Sequence, residues 1–279
     1  MLSHTFSHIP GVGLKTEHLL WSAGLSSWET FLKMDDIPLS KSRIKQIENY
    51  IEQSRLHLKN RNPNFFTQLL SSSEHWRVFS AFRDSIAYLD IETTGLNGYD
   101  EITTIGLYDG KSLFHYIHGV NLNNFMDDIQ NYKLIVSYNG KTFDVPFIEN
   151  YFQIKLKQAH IDLRYVLKSL GIAGGLKQCE KHLGLYREDL DGVDGYFAVL
   201  LWYDFARNRN KKALETLLAY NTEDVVNLET LMVLAYNLKL KNTPFFEHGK
   251  LPLPVPPENP FKADVRLLNK IKRELCYRH

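Results

Sequence analysis

Cysteine is scarce in this 279-residue chain, since Cys179 and Cys276 are the only two. Two cysteines exclude a disulfide-stapled scaffold and a zinc site built from several thiolates. The N-terminal stretch MLSHTFSHIPG lacks both the basic start and the apolar core of a signal peptide. The longest apolar-rich run, FAVLLWYDFA, is too short to span a bilayer. We therefore expect a cytoplasmic protein that works in a reducing compartment and has no membrane partner.

A strong net charge is also missing, because 33 basic residues almost balance 32 acidic ones. The balance is not uniform along the chain, since acidic residues outnumber basic ones between positions 88 and 240 while both flanks are basic. An acidic centre between basic ends suits a metal-dependent enzyme that acts on a polyanion, although imbalances of this size also arise by chance.

The pattern of the chain changes twice. Residues 1–84 carry Leu, Ile and Trp at helical spacing. Residues 85–240 begin with strand-like runs, in which Asn97-Gly98 and Asp109-Gly110 supply the turns of a three-stranded antiparallel meander. A helix and the buried strand KLIVSYNG follow, and the chain is mostly helical from Val145 to about Leu240. Residues 241–279 hold the Pro-rich linker LPLPVPPENP and a basic C-terminal helix. This order predicts an α/β fold with a mixed sheet flanked by helices, preceded by a small all-helical domain.

Two carboxylates stand two residues apart in the strand-like stretch YLDIETTGL. The period of a strand places Asp90 and Glu92 on one face, and Tyr88 on that same face is explained by sheet packing. Like charges side by side repel, and a buried carboxylate is costly unless it is paired or coordinates a metal. The pair therefore either faces solvent or holds a cation.

Further acidic positions favour the cation. Asp144 follows the apolar strand KLIVSYNG in the stretch KTFDVPFI, where the strand gives way to a helix. Tyr220 and Asp224 lie four residues apart on one face of the predicted helix ALETLLAYNTEDVVNLETLMVL. Four carboxylates and a tyrosine can thus converge from one strand, one strand end and one helix.

The trio LDIETTGL, SYNGKTFDVPF and YNTED resembles the three motifs of the DEDDy branch of the ribonuclease-H-like 3′→5′ exonucleases, and occurs in the family's order. The run HIDLRYVLKSLGIAGGLKQCEKHLGL resembles the YprB-like subgroup in particular. The resemblance covers about residues 85–240. It implies a ribonuclease-H-like exonuclease domain that hydrolyses terminal phosphodiester bonds of DNA at a free 3′ end.

The resemblance also implies a role for each motif residue, with two divalent cations, Mg²⁺ or Mn²⁺, as cofactors. Hard oxygen ligands suit these ions, and a pair of them can clamp the attacking and leaving oxygens of a phosphodiester. Asp90 would bridge both ions, Glu92 and Asp224 would complete the first site, and Asp144 would hold the second. Tyr220 would orient the attacking water and help to remove its proton.

Substrate contacts follow from the resemblance as well. Thr93 and Thr94 are expected to grip the terminal nucleotide, with Leu96 as an apolar wedge against the last base. Asn139 and Phe143 are expected to contact sugar and base, although core packing explains Leu96 and Phe143 equally well. For Asp162, a helix cap or a partnership with Arg164 is favoured over a place in the site.

The stretch FSHIPGVGLKTEHLLWSAGLSSWETFL resembles a helix-hairpin-helix motif. It implies that Gly11 and Gly13 form a hairpin whose backbone N–H groups bind a DNA phosphate, that Lys15 adds a positive charge, and that Leu19, Leu20 and Leu25 face the core. A helical hairpin used only for packing is the alternative.

Two other functions remain open from sequence. The same site would serve an RNase or a structure-specific endonuclease, and a non-catalytic nucleic-acid-binding protein would keep a relict of it. Retention of all four carboxylates and of Tyr220 argues against the relict.

Overall fold

The computed structural model describes residues 1–95, 100–187 and 189–276. The helices begin and end as follows: α1 Leu14–Ser22, α2 Trp28–Lys33, α3 Lys41–Lys59, α4 Pro63–Leu69, α5 Phe79–Phe82, α6 Phe125–Asp128, α7 Asp144–Phe152, α8 Leu163–Lys168, α9 Leu176–His182, α10 Gly195–Asn208, α11 Lys211–Leu240, α12 Phe246–Gly249 and α13 Val265–Cys276. Short 3₁₀ turns cover Leu2–His4, Ser72–Val78, Arg83–Ser85, Leu122–Asn124 and Ile129–Asn131.

A mixed sheet of five strands forms the centre of the fold: β1 Ile86–Thr93, β2 Ile102–Tyr108, β3 Leu113–Ile117, β4 Leu134–Ser137 and β5 Ala159–Asp162. The strand order is β3-β2-β1-β4-β5. The first three strands pair antiparallel, and β4 and β5 add to β1 in parallel. The predicted fold class and meander are confirmed; the predicted Asn97-Gly98 turn lies outside the described residues.

The prediction of a mostly helical chain after Val145 is wrong at β5. This strand has only four residues, which read Ala-His-Ile-Asp, too short and too polar for a recognisable strand pattern. It pairs with β4 along its whole length, from Leu134 opposite Ala159 to Ser137 opposite Asp162. The sheet is therefore one strand wider than the sequence indicated.

The two faces of β1 pack against different cores. Leu89 and Ile91 belong to a core beneath α7, whereas Tyr88 lies on the opposite face and stacks on Tyr108 at 5.9 Å between ring centroids. The long helix α11 crosses this second face and is buried along most of its length. Asp90 and Glu92 share the face of Tyr88, so α11 lies opposite both carboxylates.

The N-terminal helices share the core of α11. Phe6, Trp28 and Ile47 belong to the same hydrophobic cluster as Tyr88 and Tyr236. The boundary between residues 1–84 and 85–240 stays a prediction, but removal of residues 1–84 would expose a large apolar surface.

The C-terminal segment runs back along α11. Asn237 exchanges two hydrogen bonds with the backbone of Leu251, at 2.8 and 2.9 Å, and Asn259 Nδ2 donates to the Ala219 carbonyl at 2.9 Å. Leu268 of α13 is buried in the cluster that also holds Tyr220. The basic helix, to which the sequence assigned no role, is thus docked. No helix in the described parts of the chain has the length and apolar character needed to cross a bilayer.

Candidate functional site

Strand β1 and helix α11 bring three predicted carboxylates together. Asp90, Glu92 and Asp224 each offer an oxygen, and these three oxygens lie within 4.8 Å of one another. Asn221, one turn before Asp224, donates from Nδ2 to Asp90 Oδ2 at 2.8 Å. Glu92 and Asp224 are buried, while Asp90 is partly exposed. The group is therefore open to solvent at Asp90.

Asp144 approaches the same strand from the other side. It is the first residue of α7, and its Oδ1 accepts a hydrogen bond from the backbone N–H of Ile91 at 3.2 Å. Ile91 stands between Asp90 and Glu92, so Asp144 lies beside the pair without joining the group of three. We call Asp90, Glu92, Asp144 and Asp224 the acidic cluster.

The loop between β4 and α7 holds Asp144 in place. Asp162 Oδ1 accepts from the backbone N–H of Asn139 at 2.8 Å, and Oδ2 accepts from that of Lys141 at 3.1 Å. Gly140 packs on Ser137 so closely that a Cβ would lie 2.2 Å from Ser137 Oγ. Only glycine fits there.

Asp162 serves this loop and the next helix at once. It is fully buried at the N-cap of α8, and its Oδ1 also accepts from the backbone N–H of Arg164 at 3.0 Å. The favoured interpretation of Asp162 as a helix cap is confirmed. The sequence did not indicate that Asp162 also binds the backbone of the β4–α7 loop. That contact depends on the pairing of Ser137 with Asp162, and strand β5 was not predicted.

The electrostatics at Asp90, Glu92 and Asp144 favour protonation when no cation is present. Burial, with the neighbouring charge of Asp224, raises the pKa of Asp90 and of Glu92 well above the ordinary range. Burial is also the main reason that the pKa of Asp144 rises to about 7. These groups lack the positive charge that would keep them ionised at neutral pH.

Two basic side chains that the sequence did not single out approach Asp224. Lys177 Nζ lies 3.9 Å from Asp224 Oδ1, and Arg187 forms an ion pair with the same oxygen. Arg187 is buried and is also held by Glu180, with Nε donating to Oε2 at 2.7 Å. Lys177 lies in the run LKQCEKHLGL that carries the family resemblance, but one basic residue in a short helix gives no signal of its own.

Tyr220 stands one helical turn before Asp224 and is buried beneath the site. Its hydroxyl accepts a hydrogen bond from Lys177, whose Nζ lies 4.1 Å from the ring centroid. Burial, followed by the charges of Asp224 and Glu92, raises the pKa of Tyr220 well above 10. The hydroxyl therefore stays protonated at neutral pH and can donate a hydrogen bond.

The predicted substrate residues differ in their hydrogen bonds and in their exposure. Thr93 Oγ1 donates to the Gly95 carbonyl at 2.6 Å, and Thr94 Oγ1 donates to Asp100 Oδ1 at 3.2 Å, so both hydroxyls already have partners within the chain. Leu96 lies outside the described residues.

Asn139 and Phe143, the substrate candidates of the second motif, have different surroundings. Asn139 has a left-handed backbone with φ of 65°, and its Oδ1 accepts from Thr142 Oγ1 at 2.8 Å and from Arg164. Phe143 packs against the core beneath α7, 5.8 Å from Phe147, yet remains partly exposed. It thus has one face in the core and one available to a ligand.

The N-terminal hairpin has the backbone expected of a tight turn. Gly11 has φ of +77°, Gly13 is the N-cap of α1, and both glycines and Lys15 are exposed. The first N–H groups of a helix have no partner within the helix. Only a three-residue 3₁₀ turn, not an α-helix, precedes this hairpin. The placement of Leu19 on the packing face is wrong, because Leu19 is 70% exposed, while Leu20 and Leu25 are buried.

The donor set of the acidic cluster fits divalent cations of the Mg²⁺ or Mn²⁺ type. All of its ligand atoms are carboxylate oxygens, which these hard ions prefer. Their burial without enough positive charge is the second mark of such a site, since a cation would remove the repulsion between them.

A sequence model of the RNase_H superfamily matches residues 87–236, more than half of the chain. The chain belongs to the RNase_H superfamily. The matched range runs from β1 into α11 and includes the whole acidic cluster and Tyr220. Membership of this nuclease superfamily indicates a nucleic-acid substrate.

No curated protein matches this RNase_H-superfamily chain. Among solved structures it is similar to the family B DNA polymerase from the hyperthermophilic archaeon Pyrobaculum calidifontis, with 14% sequence identity and a TM-score of 0.38. The similarity covers 56% of this chain and 29% of the polymerase chain. The chain therefore spans less than a third of the length of that polymerase.

Proposed function

We propose that this chain is a 3′→5′ exonuclease of the DEDDy type that depends on two divalent cations, Mg²⁺ or Mn²⁺, and removes nucleotides one at a time from DNA. The observation that carries the proposal is the convergence of four carboxylates, three of them buried and Asp90 partly exposed, from β1, α7 and α11, with a buried tyrosine one turn before the last of them. A structural ion network would pair such carboxylates with an equal number of cations.

Each side chain of the site has a defined task in this proposal. Asp90, Glu92 and Asp224 would hold one cation, and Asp144 with Asp90 would hold the second. The bound cations would supply activation of the attacking water and neutralisation of charge on the scissile phosphate. Water adds to phosphorus, the bond from phosphorus to O3′ breaks, and the products are a nucleoside monophosphate and a strand shortened by one residue.

Tyr220 and Lys177 complete the site. Because its pKa is raised, the Tyr220 hydroxyl acts as a hydrogen-bond donor that orients the attacking water, rather than as an ionised base. Lys177 fixes that hydroxyl through its own hydrogen bond. The Lys177 side chain is 28% exposed, so part of it is accessible to an arriving phosphate.

End-labelled oligonucleotides incubated with Mn²⁺ test the proposal. DNA labelled at its 5′ end should give a ladder that shortens with time, whereas DNA labelled at its 3′ end should release labelled mononucleotide at once. Circular single-stranded DNA, which has no end, should survive. Asp90→Asn is the matched control for contaminating nuclease.

Other outcomes would redirect the assignment. Cutting of the circle would identify an endonuclease, and faster degradation of RNA than of DNA would identify an RNase. Binding without any cleavage in either metal would identify a non-catalytic protein with a relict site.

The N-terminal hairpin is proposed to hold the DNA backbone through the N–H groups that follow Gly11 and Gly13, with Lys15 adding a charge. Arg43 packs over Gly11, where its guanidinium adds positive charge to the same surface. Lys15→Glu should make the dependence of long-DNA binding on salt shallower. Each phosphate contact that is lost lowers the number of counterions released on binding. Lys33→Glu, on α2 and paired with Glu29, is the control, and an equal effect of both variants would reduce the hairpin to a packing element.

A further inference from the structure

A second basic surface lies beside the acidic cluster, at the edge where β4 and β5 end. Arg164, Tyr165 and Lys168 of α8 are exposed there, and Lys141 of the β4–α7 loop is partly exposed. The Lys141 Nζ lies 6.0 Å from the centroid of the Tyr165 ring. We call these four residues the strand-edge patch. The proposed chemistry uses none of them.

The sheet fixes the position of the patch relative to the site. Tyr88 of β1 pairs with Val136 of β4, and the next residue of β4, Ser137, pairs with Asp162 of β5. Two strand spacings of about 4.8 Å therefore separate β1 from β5, or about 10 Å across the edge. Parallel strands end at the same edge of a sheet. Helix α8, which follows β5, therefore begins at the same edge as the loop that leads from β4 to Asp144.

A direct contact joins the patch to a predicted substrate residue. Arg164 donates from its guanidinium to Asn139 Oδ1, and both residues are tied through their backbone N–H groups to Asp162. Patch and site are thus continuous, with Asn139 between them.

The charge of the patch is not cancelled by an ion pair. Across residues 1–95, 100–187 and 189–276, Arg164, Lys168 and Lys141 form no salt bridge. Asp162 is the carboxylate nearest in the chain, but it is buried and accepts backbone hydrogen bonds. Lys141 Nζ donates a hydrogen bond to Ser72 Oγ at 3.1 Å, and this neutral partner leaves its charge in place. An exposed aromatic ring flanked by cations that form no ion pair suits single-stranded nucleic acid, whose bases stack on rings and whose phosphates bind cations.

We propose that the strand-edge patch binds the substrate strand on the 5′ side of the scissile bond, with a base stacked on Tyr165 and phosphates bound by Arg164 and Lys168. The proposal rests on the proposed function, because a strand whose 3′ end lies at the acidic cluster extends from there only in the 5′ direction. At about 3.4 Å of axial rise per stacked nucleotide, a dinucleotide ends short of the patch, and a strand of four or more nucleotides reaches it.

The test compares oligonucleotides of two and eight nucleotides. For each variant, kcat/KM is measured on both DNA lengths, and the ratio of the long to the short substrate is the readout. Tyr165→Ala should lower this ratio roughly tenfold, within the range known for loss of one base stack. Tyr165→Phe keeps the ring and should restore the ratio.

A matched control separates the patch from exposed tyrosines in general. Tyr203 on α10 is 37% exposed, compared with 36% for Tyr165, and an arginine lies 4.9 Å from its ring centroid. Tyr203→Ala should leave the ratio at the wild-type value. An unchanged ratio for Tyr165→Ala, or an equal fall for Tyr203→Ala, would overturn the proposal.

Binding without cleavage distinguishes this inference from the function on which it rests. Fluorescence anisotropy with an eight-nucleotide DNA in EDTA should show about tenfold weaker binding for Tyr165→Ala. Arg164→Gln should reduce the slope of log K against log salt by about 0.7, as expected for one phosphate contact to a single strand. If these shifts occur in a protein that cleaves nothing, the patch stands and the nuclease proposal fails. If the protein cleaves DNA and neither shift occurs, the patch fails alone.

Discussion

The acidic cluster can be compared with another buried group of charges, formed by Glu17 of α1, Glu74 and Arg77 of the 3₁₀ turn Ser72–Val78, and Lys239 of α11. We call this group the balanced network. Arg77 contacts Glu17 at 2.9 Å and Glu74 at 2.7 Å, and Lys239 contacts Glu74 at 2.6 Å. Two negative charges thus meet two positive ones, and the network joins the N-terminal helices to α11.

The acidic cluster is also largely buried, with Asp90 partly exposed, but its negative and positive charges do not balance. Of the two cations near its four carboxylates, Arg187 is shared with Glu180, and only Lys177 remains. The pKa values report the difference. Burial opposes ionisation of Glu74, but Arg77 and Lys239 hold its pKa below the ordinary value, whereas the pKa values of Asp90 and Glu92 are raised. Burial of acids therefore does not by itself mark a functional site; burial without enough positive charge does.

The largest expected effect comes from removing one charge of the acidic cluster. Asp90→Asn should lower nuclease turnover at least roughly 10³-fold, because metal ions contribute several kcal/mol to such reactions and each 1.4 kcal/mol is a factor of ten. The thermal midpoint of the metal-free variant should not fall, because burial already disfavours the ionised form of Asp90 and the amide of asparagine carries no charge. Glu215→Gln, the same change at an exposed position of α11, is the control. Turnover near the wild-type value at saturating Mn²⁺ would refute the assignment of the cluster.

Loss of one hydroxyl is the next test. Tyr220→Phe keeps the ring beneath the site and should slow cleavage by roughly 10²–10⁴-fold, the range for a positioned acid–base group, while Mn²⁺ still binds. Tyr236→Phe is matched to it, because Tyr236 is a buried tyrosine of the same helix whose hydroxyl donates to Ser80 Oγ at 3.3 Å. If Tyr220→Phe also abolished Mn²⁺ binding, the tyrosine would be structural.

The balanced network should respond in the opposite way. Arg77→Met leaves two buried glutamates without their shared cation and should lower the free energy of unfolding by about 3–5 kcal/mol. Turnover per folded molecule should stay near the wild-type value. Urea unfolding measures the first quantity, and Arg55→Met, at an exposed pair with Glu52, provides the control. A stability loss below about 1 kcal/mol would show that the network is not structural.

A smaller effect should appear in the pH dependence of stability. The pKa of Asp144 is raised from 3.8 to about 7, so the folded metal-free protein keeps a proton that the unfolded chain releases. This contribution is complete below about pH 4 and disappears as pH rises through 7. The thermal midpoint in EDTA should therefore fall across that window, and saturating Mn²⁺ should flatten the curve.

The balanced network predicts the opposite sign on the acid side. Because the pKa of Glu74 is lowered, its ionisation stabilises the fold at pH values above the ordinary pKa of 4.5, and that contribution is lost as pH falls below it.

Asp144→Asn should reduce the slope of the thermal midpoint against pH near neutral pH and leave the acid limb unchanged. An EDTA profile that is flat between pH 5 and 8 would contradict the unbalanced charge assigned to the cluster.

The sequence predicted the parts of the molecule that depend on local periodicity. The alternation around Asp90 and the four-residue spacing of Tyr220 and Asp224 gave the correct faces of β1 and α11, because strand and helix geometry fix which residues share a face. Asp109-Gly110 indicated the turn between β2 and β3, because glycine readily adopts the positive φ of 88° found at Gly110.

The sequence did not predict features that depend on contacts between distant segments. Arg187 reaches Asp224 from a loop 37 positions earlier in the chain, and no spacing rule links the two. Strand β5 is defined by its pairing with β4 rather than by its own residues. The sequence placed Leu19 and Leu20 on the same face, because residue type does not distinguish two adjacent leucines. Leu20 faces the core and Leu19 does not.

We propose that divalent cations supply the positive charge that the acidic cluster lacks. Isothermal titration of Mn²⁺ into the EDTA-treated and desalted protein at pH 7 tests this proposal without any substrate. We expect two ions to bind per chain, with loss of the tighter one in Asp90→Asn and no change in Arg77→Met at a temperature where it stays folded. Absence of Mn²⁺ binding, or binding that Asp90→Asn leaves unaltered, would contradict it.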